Sequence, residues 1–261
     1  MSGDGRADAV TRQAEARDYV PATGSHAGRV IVVTGAGDGI GRALALAIAR
    51  QGATVGLLGR TQRKLVRTYD RIVAAGGPRP ALLPFNLETA TASEYDAVHD
   101  ALEREFGHLD GLAHVAGILG DLSPIDQYDV PTWCKVLHVN LTAPFILTRT
   151  LLPLLRRSTD ASIVFTTSNL GRTGRAYWGA YAASKFGTEG LMQVLAHETA
   201  DTTRIRVNSV NPGRVRTAMR RQAYPAEDHS QHPEPEAVVA PYLFLLGPVS
   251  QGVNGQSFDC Q

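Results

Sequence analysis

Tyr181 and Lys185 stand four apart in Tyr181-Ala182-Ala183-Ser184-Lys185, a spacing that puts a phenol and an ammonium on one face of a helix. A phenol ionises near pH 10, so acid–base work close to neutrality requires a cation that favours the phenolate, and Lys185 supplies that charge. Such a pair alone is a common helix surface. Ser168, thirteen residues earlier at the end of the β-branched run 163–167, makes it more specific. A second constellation is Thr34-Gly35-Ala36-Gly37-Asp38-Gly39-Ile40-Gly41, directly after an apolar run and before a helical pattern. Glycines let such a turn close and let backbone approach a pyrophosphate, while the following helix offers free N–H groups and the positive end of its dipole. A nucleoside-triphosphate loop would need Lys and a hydroxyl after its last glycine; Gly41 is followed by Arg42-Ala43.

Short β-branched runs alternate with longer helical patterns along the chain, which is the signature of stacked βαβ units around a parallel sheet. Strands are expected at 29–34, 54–58, 81–85, 111–114, 162–167, 205–210 and 256–259, and helices near 40–51, 62–75, 92–106, 131–157, 179–200 and 236–246. The fold class is therefore α/β: a single-domain, Rossmann-type, doubly wound parallel sheet of about seven strands with helices on both faces. Ligand is expected at the carboxyl ends of the strands. The domain runs over 29–261, after a flexible N-terminal tail at 1–28 with a short Ala-rich helix near 7–17. The polar stretch 214–235 follows a strand end and is expected to be a substrate lid.

Composition excludes several classes. With 26 Lys+Arg against 25 Asp+Glu the net charge is +1, and no block of basic residues marks a nucleic-acid or anionic-membrane surface. The most apolar short run, 43–49, is far below the roughly 20 residues of a membrane span. Two cysteines, Cys134 and Cys260, are too few for a disulfide scaffold, and the charged first residues lack the apolar core of a secretory signal, so a cytoplasmic protein is expected. His114 has no second ligand at a matching spacing, and no metal is expected.

The spacing T-G-x-x-x-G-I-G resembles the short-chain dehydrogenase/reductase family, and the resemblance covers nearly all of 29–259. It implies an NADP(H)- or NAD(H)-dependent oxidoreductase acting on a small carbonyl or alcohol. The implied cofactor set starts with Gly35, Asp38, Gly39, Ile40 and Gly41. In that family the end of the second strand selects the cofactor, and here Leu58-Gly59-Arg60-Thr61 has a guanidinium and no acid, which favours NADP(H) over NAD(H). Asp38 opposes a 2′-phosphate nearby. Asn86, followed by Leu87, stands where the family usually has an acid facing the adenine. His114-Val115-Ala116-Gly117 replaces N-N-A-G, keeping the small Ala116 and Gly117. The segment 211–217 matches the family's P-G stretch and brings Pro212, Gly213, Val215 and Thr217 to the nicotinamide and phosphates.

The resemblance also implies catalytic roles. Tyr181 is the acid/base, Ser168 hydrogen-bonds the same substrate oxygen, Lys185 lowers the Tyr181 pKa and holds the nicotinamide ribose, and Asn140 organises a relay behind the lysine. The stretch 168–181, with Ile118-Leu119-Gly120-Asp121 and Phe258-Asp259, resembles the bacterial YciK-type oxidoreductases, which bring no agreed substrate. Ser168, Leu170, Tyr177 and Trp178, with Leu119 and the lid, are expected to border substrate inside a basic rim of Arg172, Arg175, Arg214 and Arg216. A homodimer or homotetramer paired through 131–157 and 179–200 is implied. A non-catalytic NADP(H)-binding regulator would have lost Ser168, Tyr181 or Lys185, and all three are present. An NAD(H)-preferring dehydrogenase and a purely structural subunit remain as alternatives.

Overall fold

Residues 4–261 are described by the structure, a computed structural model. A first helix, α1 (Asp4–Arg17), precedes β1 (Val30–Thr34), α2 (Gly39–Arg50), β2 (Thr54–Gly59), α3 (Gln62–Ala74) and β3 (Ala81–Pro84). Then follow α4 (Ala92–Phe106), β4 (Gly111–His114), α5 (Val130–Leu137), α6 (Ala143–Leu155) and β5 (Ala161–Thr166). The last third holds α7 (Gly179–Ala200), β6 (Ile205–Asn211), α8 (Ala218–Ala223), α9 (Ala240–Leu246) and β7 (Ser257–Asp259).

The seven strands form one parallel sheet in the order β3-β2-β1-β4-β5-β6-β7. Strand periodicity of two sends Ile31 and Val33 into one core with Leu44, Ile48 and Phe244, while Val30 and Val32 enter the other with Leu102, Leu147 and Leu151. Both faces of β1 are thus dry, which is why its sequence is uniformly apolar. The strand order reverses between β1 and β4, and a crevice opens beyond their carboxyl ends. Among the described residues no helix is long and apolar enough to cross a membrane.

One helix differs from the sequence expectation. The helix expected over 131–157 is two helices, α5 and α6, joined by one π-type turn at His138–Thr142. In the N-terminal stretch expected as a tail, Ala16 is fully buried, Gln13 Nε2 donates to the Asp259 carbonyl at 2.7 Å, and Tyr19 meets Phe244 edge-on at 5.6 Å. The 214–235 stretch carries α8 and a 3-10 turn at His229–Gln231, and its base is closed by Arg216 N–H donating to the Pro233 carbonyl at 2.9 Å.

Two histidines are packed as neutral core residues. His114 ends β4 with 4% exposure, exchanges a 2.8 Å hydrogen bond with the Thr148 hydroxyl through Nε2, and stacks on Phe165 at 4.8 Å. His26 donates from Nε2 to the Leu243 carbonyl at 3.1 Å. Burial pulls His114 down to about 3 and His26 to about 4, from an ordinary value of 6.5. The folded chain refuses these protons while the unfolded chain accepts them below pH 6.5, so stability is full above that pH and is lost as pH falls towards the folded values. Each histidine is expected to withdraw about 2 kcal/mol between pH 7 and pH 5. Urea unfolding of His114→Gln is expected to show a pH 7-to-5 loss smaller than wild type by that amount; an equal loss would place the proton uptake elsewhere.

Candidate active site

The glycine loop joins β1 to α2 at the crevice. Gly35 has φ +70° and lies against Ala116, where a Cβ would come within 3.2 Å of backbone; at Gly41 a Cβ would sit 2.3 Å from the Gly35 carbonyl oxygen. Only glycine lets these segments approach. Asp38 caps α2 by accepting from Gly39 N–H at 2.8 Å, and the first intrahelical bond is Arg42 N–H to the Asp38 carbonyl. The amides of Ile40 and Gly41 therefore have no intrahelical acceptor and suit an anion at the positive end of α2. Thr34 ties this corner together, accepting from the amides of Val115 and Ala116 at 2.9 and 3.0 Å.

The crevice is a cavity of about 1380 Å³. It is lined by Gly35, Asp38, Gly39, Ile40, Gly41, Arg60, Asn86, Leu87, Ala116, Gly117, Ser168, Leu170, Trp178, Tyr181, Lys185, Pro212, Gly213, Val215 and Thr217. Asn140 and Tyr177 are not on its wall. Two expected interactions have other partners. The Asn86 side chain closes its own turn, donating to Thr89 Oγ1 at 3.0 Å and accepting from Glu88 N–H at 3.2 Å, which commits the groups expected to meet an adenine. Asp38 does not stand alone against a 2′-phosphate: Lys64, on the first turn of α3, donates to it at 2.5 Å and holds its carboxyl below the ordinary value. Lys64 also lines the cavity and was not among the residues singled out from the sequence. Its signal was faint, a third residue of a helix after Arg60, and only folding sets it beside Gly37. Arg60 is 68% exposed and 3.7 Å from Glu88, which Lys135 also engages at 2.8 Å.

At the other end Lys185 is 5% exposed, and its Nζ donates to the Thr166 carbonyl at the end of β5, 2.7 Å away. Desolvation pulls its pKa down to about 8, and Glu189, one turn on, pulls the other way. The ammonium lies 5.7 Å from the Tyr181 ring centroid. Burial pushes the Tyr181 phenol up to about 12, opposed by hydrogen bonding from Ser168. Desolvation dominates this shift, and the cause that lowers it is Ser168 rather than Lys185. Ser168 caps the 169–171 turn by accepting from Leu170 N–H at 3.2 Å and donates to Asn169 Oδ1 at 3.1 Å.

Asn140 sits on the π-type turn. Pro144, four residues on, has no N–H to give to the Asn140 carbonyl, so a regular turn would leave that oxygen bare; Thr188 Oγ1 reaches it at 3.4 Å. The Asn140 amide clasps Ile118 from both sides, accepting from its N–H at 2.8 Å and donating to its carbonyl at 2.9 Å, and also donates to Ser184 at 3.0 Å. It fixes the wall between β4 and α7. Of the expected basic rim, Arg172 is bound to Asp259 at 3.0 Å and Arg216 to Glu234, while Arg175 and Arg214 line the cavity.

The sequence profile of the short chain dehydrogenase family matches residues 29–228. The uncharacterised oxidoreductase YciK of Escherichia coli K12 is 46% identical over 233 residues, covering 89% of this chain and 92% of that protein. A Pseudomonas syringae protein with a provisional short chain dehydrogenase assignment superposes with a TM-score of 0.92 at 52% identity, over 94% of this chain and 99% of that one. A Shigella flexneri protein with the same provisional assignment, solved as a complex with NADP, gives 0.87 at 46% identity, over 90% and 98%.

Tyr177, expected to border substrate, is 59% exposed outside the cavity and is the one non-glycine with positive φ (+73°) among the described residues. Its carbonyl accepts from Ser123 N–H at 3.1 Å, and the turn delivers the next residue, Trp178, into the pocket. A bulky residue in the left-handed region costs about 1 kcal/mol or more, which glycine would relieve while adding chain entropy to the unfolded state. Tyr177→Gly is therefore expected to keep stability within about 1 kcal/mol of wild type and to change kcat/KM by less than about threefold. A tenfold rise in KM in steady-state assays would restore Tyr177 to the substrate wall.

Proposed function

The chain belongs to the short chain dehydrogenase family and is an oxidoreductase, and on that premise we propose that it uses NADP(H) to interconvert a carbonyl compound and the corresponding secondary or primary alcohol, with Tyr181 as acid/base. The observation that carries this reading is the convergence, on one cavity, of a protonated phenol, the Ser168 hydroxyl and a buried ammonium at its substrate end with a backbone anion cradle at the other. Convergence of all three side chains also disfavours a non-catalytic nucleotide-binding regulator.

The donor set suits a pyridine dinucleotide. The free amides of Ile40 and Gly41 would hold its pyrophosphate, Leu87 its adenine, Lys185 its nicotinamide ribose, and Pro212, Gly213, Val215 and Thr217 the ring and phosphate beyond. When bound, the cofactor supplies or accepts the hydride. In reduction, Tyr181 gives its proton to the carbonyl oxygen while Ser168 hydrogen-bonds that oxygen as charge develops there. The buried phenol holds its proton at neutral pH and has it to give, and in the opposite direction the phenolate would take it back. Lys185 then lies against the phenolate, held in place by the Thr166 carbonyl. Asn140 acts at one remove, as a positioning residue for the 118 wall.

Preference for NADP(H) rests on charge. Arg60 offers a forked, exposed guanidinium at the end of β2, and the Asp38–Lys64 pair turns an opposing carboxylate into a neutral unit whose ammonium faces the same cavity. The relative solved with NADP supports the choice. We further assign the exposed Phe145, Phe186 and Val194 of α6 and α7 to contacts between copies of the chain, and the free thiols Cys134 and Cys260 to a reducing, cytoplasmic setting.

Two measurements test this. Tyr181→Phe is expected to lower kcat for NADPH-dependent reduction of an aldehyde and ketone panel by about a thousandfold with cofactor binding retained, since general acid catalysis is worth roughly 10² to 10⁴; unchanged turnover would remove Tyr181 as the donor. Lys64→Ala leaves Asp38 uncompensated and is expected to weaken NADPH binding about tenfold while NADH binding moves little, as Arg60→Ala should also do. Fluorescence titrations in which the NADPH:NADH affinity ratio stays constant would overturn the 2′-phosphate assignment.

A further inference from the structure

The substrate side of the cavity is built as a row of rings that ends in a cation. Tyr181 meets Trp178 at 5.8 Å and 69°, and Trp178 meets Tyr224 at 5.8 Å and 36°. The Tyr224 hydroxyl accepts from Arg175 Nη1 at 2.9 Å. Leu119, Leu170 and Met219 pack along the same row. One end of this apolar slot is thus a proton donor and the other a guanidinium, two ring spacings away.

The charge state of Arg175 separates it from the other cations on the wall. Lys64 is paired with Asp38, Arg60 and Lys135 share Glu88, and Arg220 is forked onto Glu227 at 2.5 and 2.6 Å. Lys185 is enclosed at the Thr166 carbonyl. Among the described residues no carboxylate lies within ion-pair distance of Arg175; its side-chain partner is the Tyr224 hydroxyl. That phenol is itself held from the other face by the Arg220 guanidinium, 3.9 Å from the ring centroid, and Arg220 in turn by Glu227. Glu227 is thereby committed to Arg220. Arg214 also lines the cavity without a carboxylate, but no contact aims its side chain.

A fork with unused N–H groups, oriented by a hydroxyl and facing a hydrophobic slot, matches a planar carboxylate. We propose that Arg175 anchors a carboxylate of the substrate, so that the enzyme acts on oxo acids and the corresponding hydroxy acids whose reacting carbon is separated from the carboxylate by a flat apolar or aromatic body lying along Trp178 and Tyr224. The proposal rests on the assignment of Tyr181 as proton donor, which orients the slot. In reduction the hydride of NADPH forms the new C–H bond, the proton of Tyr181 forms the O–H bond, and the carboxylate is unchanged.

The test uses two matched pairs with NADPH and the full-length enzyme: 4-formylbenzoate and its methyl ester, and 4′-formylbiphenyl-4-carboxylate and its methyl ester. Wild type is expected to favour each acid over its ester, and Arg175→Ala to lower the acid:ester ratio of kcat/KM about tenfold or more, through KM. Arg175→Lys should recover part of that ratio, because the charge returns without the fork. A wild type that prefers the esters, or a ratio unmoved by Arg175→Ala, overturns the proposal. Calorimetric titration of the NADP⁺-loaded protein with each acid separates this failure from that of the reductase assignment. Binding that weakens about tenfold in Arg175→Ala, with no turnover by wild type, retains the anchor and removes the assigned reaction. Acid binding that is absent from wild type or indifferent to the substitution removes the anchor.

Discussion

A lysine ammonium with 5% exposure is the constraint around which this molecule is arranged. Charge in a medium of low polarity must be given partners, and each partner of Lys185 fixes an element. The Thr166 carbonyl fixes the end of β5, and Glu189 fixes the next turn of α7 through its own bonds to Ser209 and Ser257 on β6 and β7. Gly171 brings the preceding turn so close that a Cβ there would lie 2.9 Å from the Lys185 carbonyl oxygen. On the far side Gly117 lets β4 pass, with a Cβ position only 3.9 Å from Nζ and 3.2 Å from Asn140 Oδ1. The buried lysine, the π-type turn and two glycines are one packing solution.

The cofactor end solves a different problem. There the groups are exposed, single ion pairs contribute little to stability, and their value lies in where they leave net charge. Asp38 caps α2, and its carboxylate, which would oppose a 2′-phosphate, is paired with Lys64 without loss of the cap. A near-zero net charge for the chain thus conceals a local arrangement in which the capping carboxylate is charge-paired while the amides of Ile40 and Gly41 have no intrahelical acceptor.

Much of this was legible in the sequence, for physical reasons that also explain the rest. Buried parallel strands must be apolar and short, so β1, β2, β4 and β6 were readable to within a residue, and the glycine loop and the Tyr181/Lys185 spacing are local patterns. Lys64 acts on Asp38 across 26 positions, and no local pattern carries that pairing. The break at Asn140 was foreshadowed by Pro144, whose missing N–H forbids a regular bond, but proline in a first helical turn also reads as ordinary. The N-terminal helix is mostly polar, and the few apolar residues that dock it, Ala16 and Tyr19, have meaning only against Phe244. Tyr177 was expected with Trp178 at the substrate pocket, and it is 59% exposed outside the cavity. Its positive φ inverts that reading, since the strained turn throws one aromatic outward in order to bring the other in.

The two halves of the cavity are consequently specified by different kinds of chemistry. Backbone does most of the work on the dinucleotide side, through glycines, free amides and strand ends, and backbone geometry is shared by every chain that folds this way. On the substrate side the determinants are side chains drawn from segments without regular structure: Trp178 from a strained turn, Tyr224 from the end of the short α8, and Arg175 from the loop before α7. Each is held by the next, ring against ring and phenol against guanidinium, so that replacing one member would reset the direction of the others. A family resemblance carried by the glycine loop and Tyr-x-x-x-Lys therefore speaks to the nicotinamide cofactor and leaves the substrate open, because a row of contacts between distant residues is not a spacing in the chain.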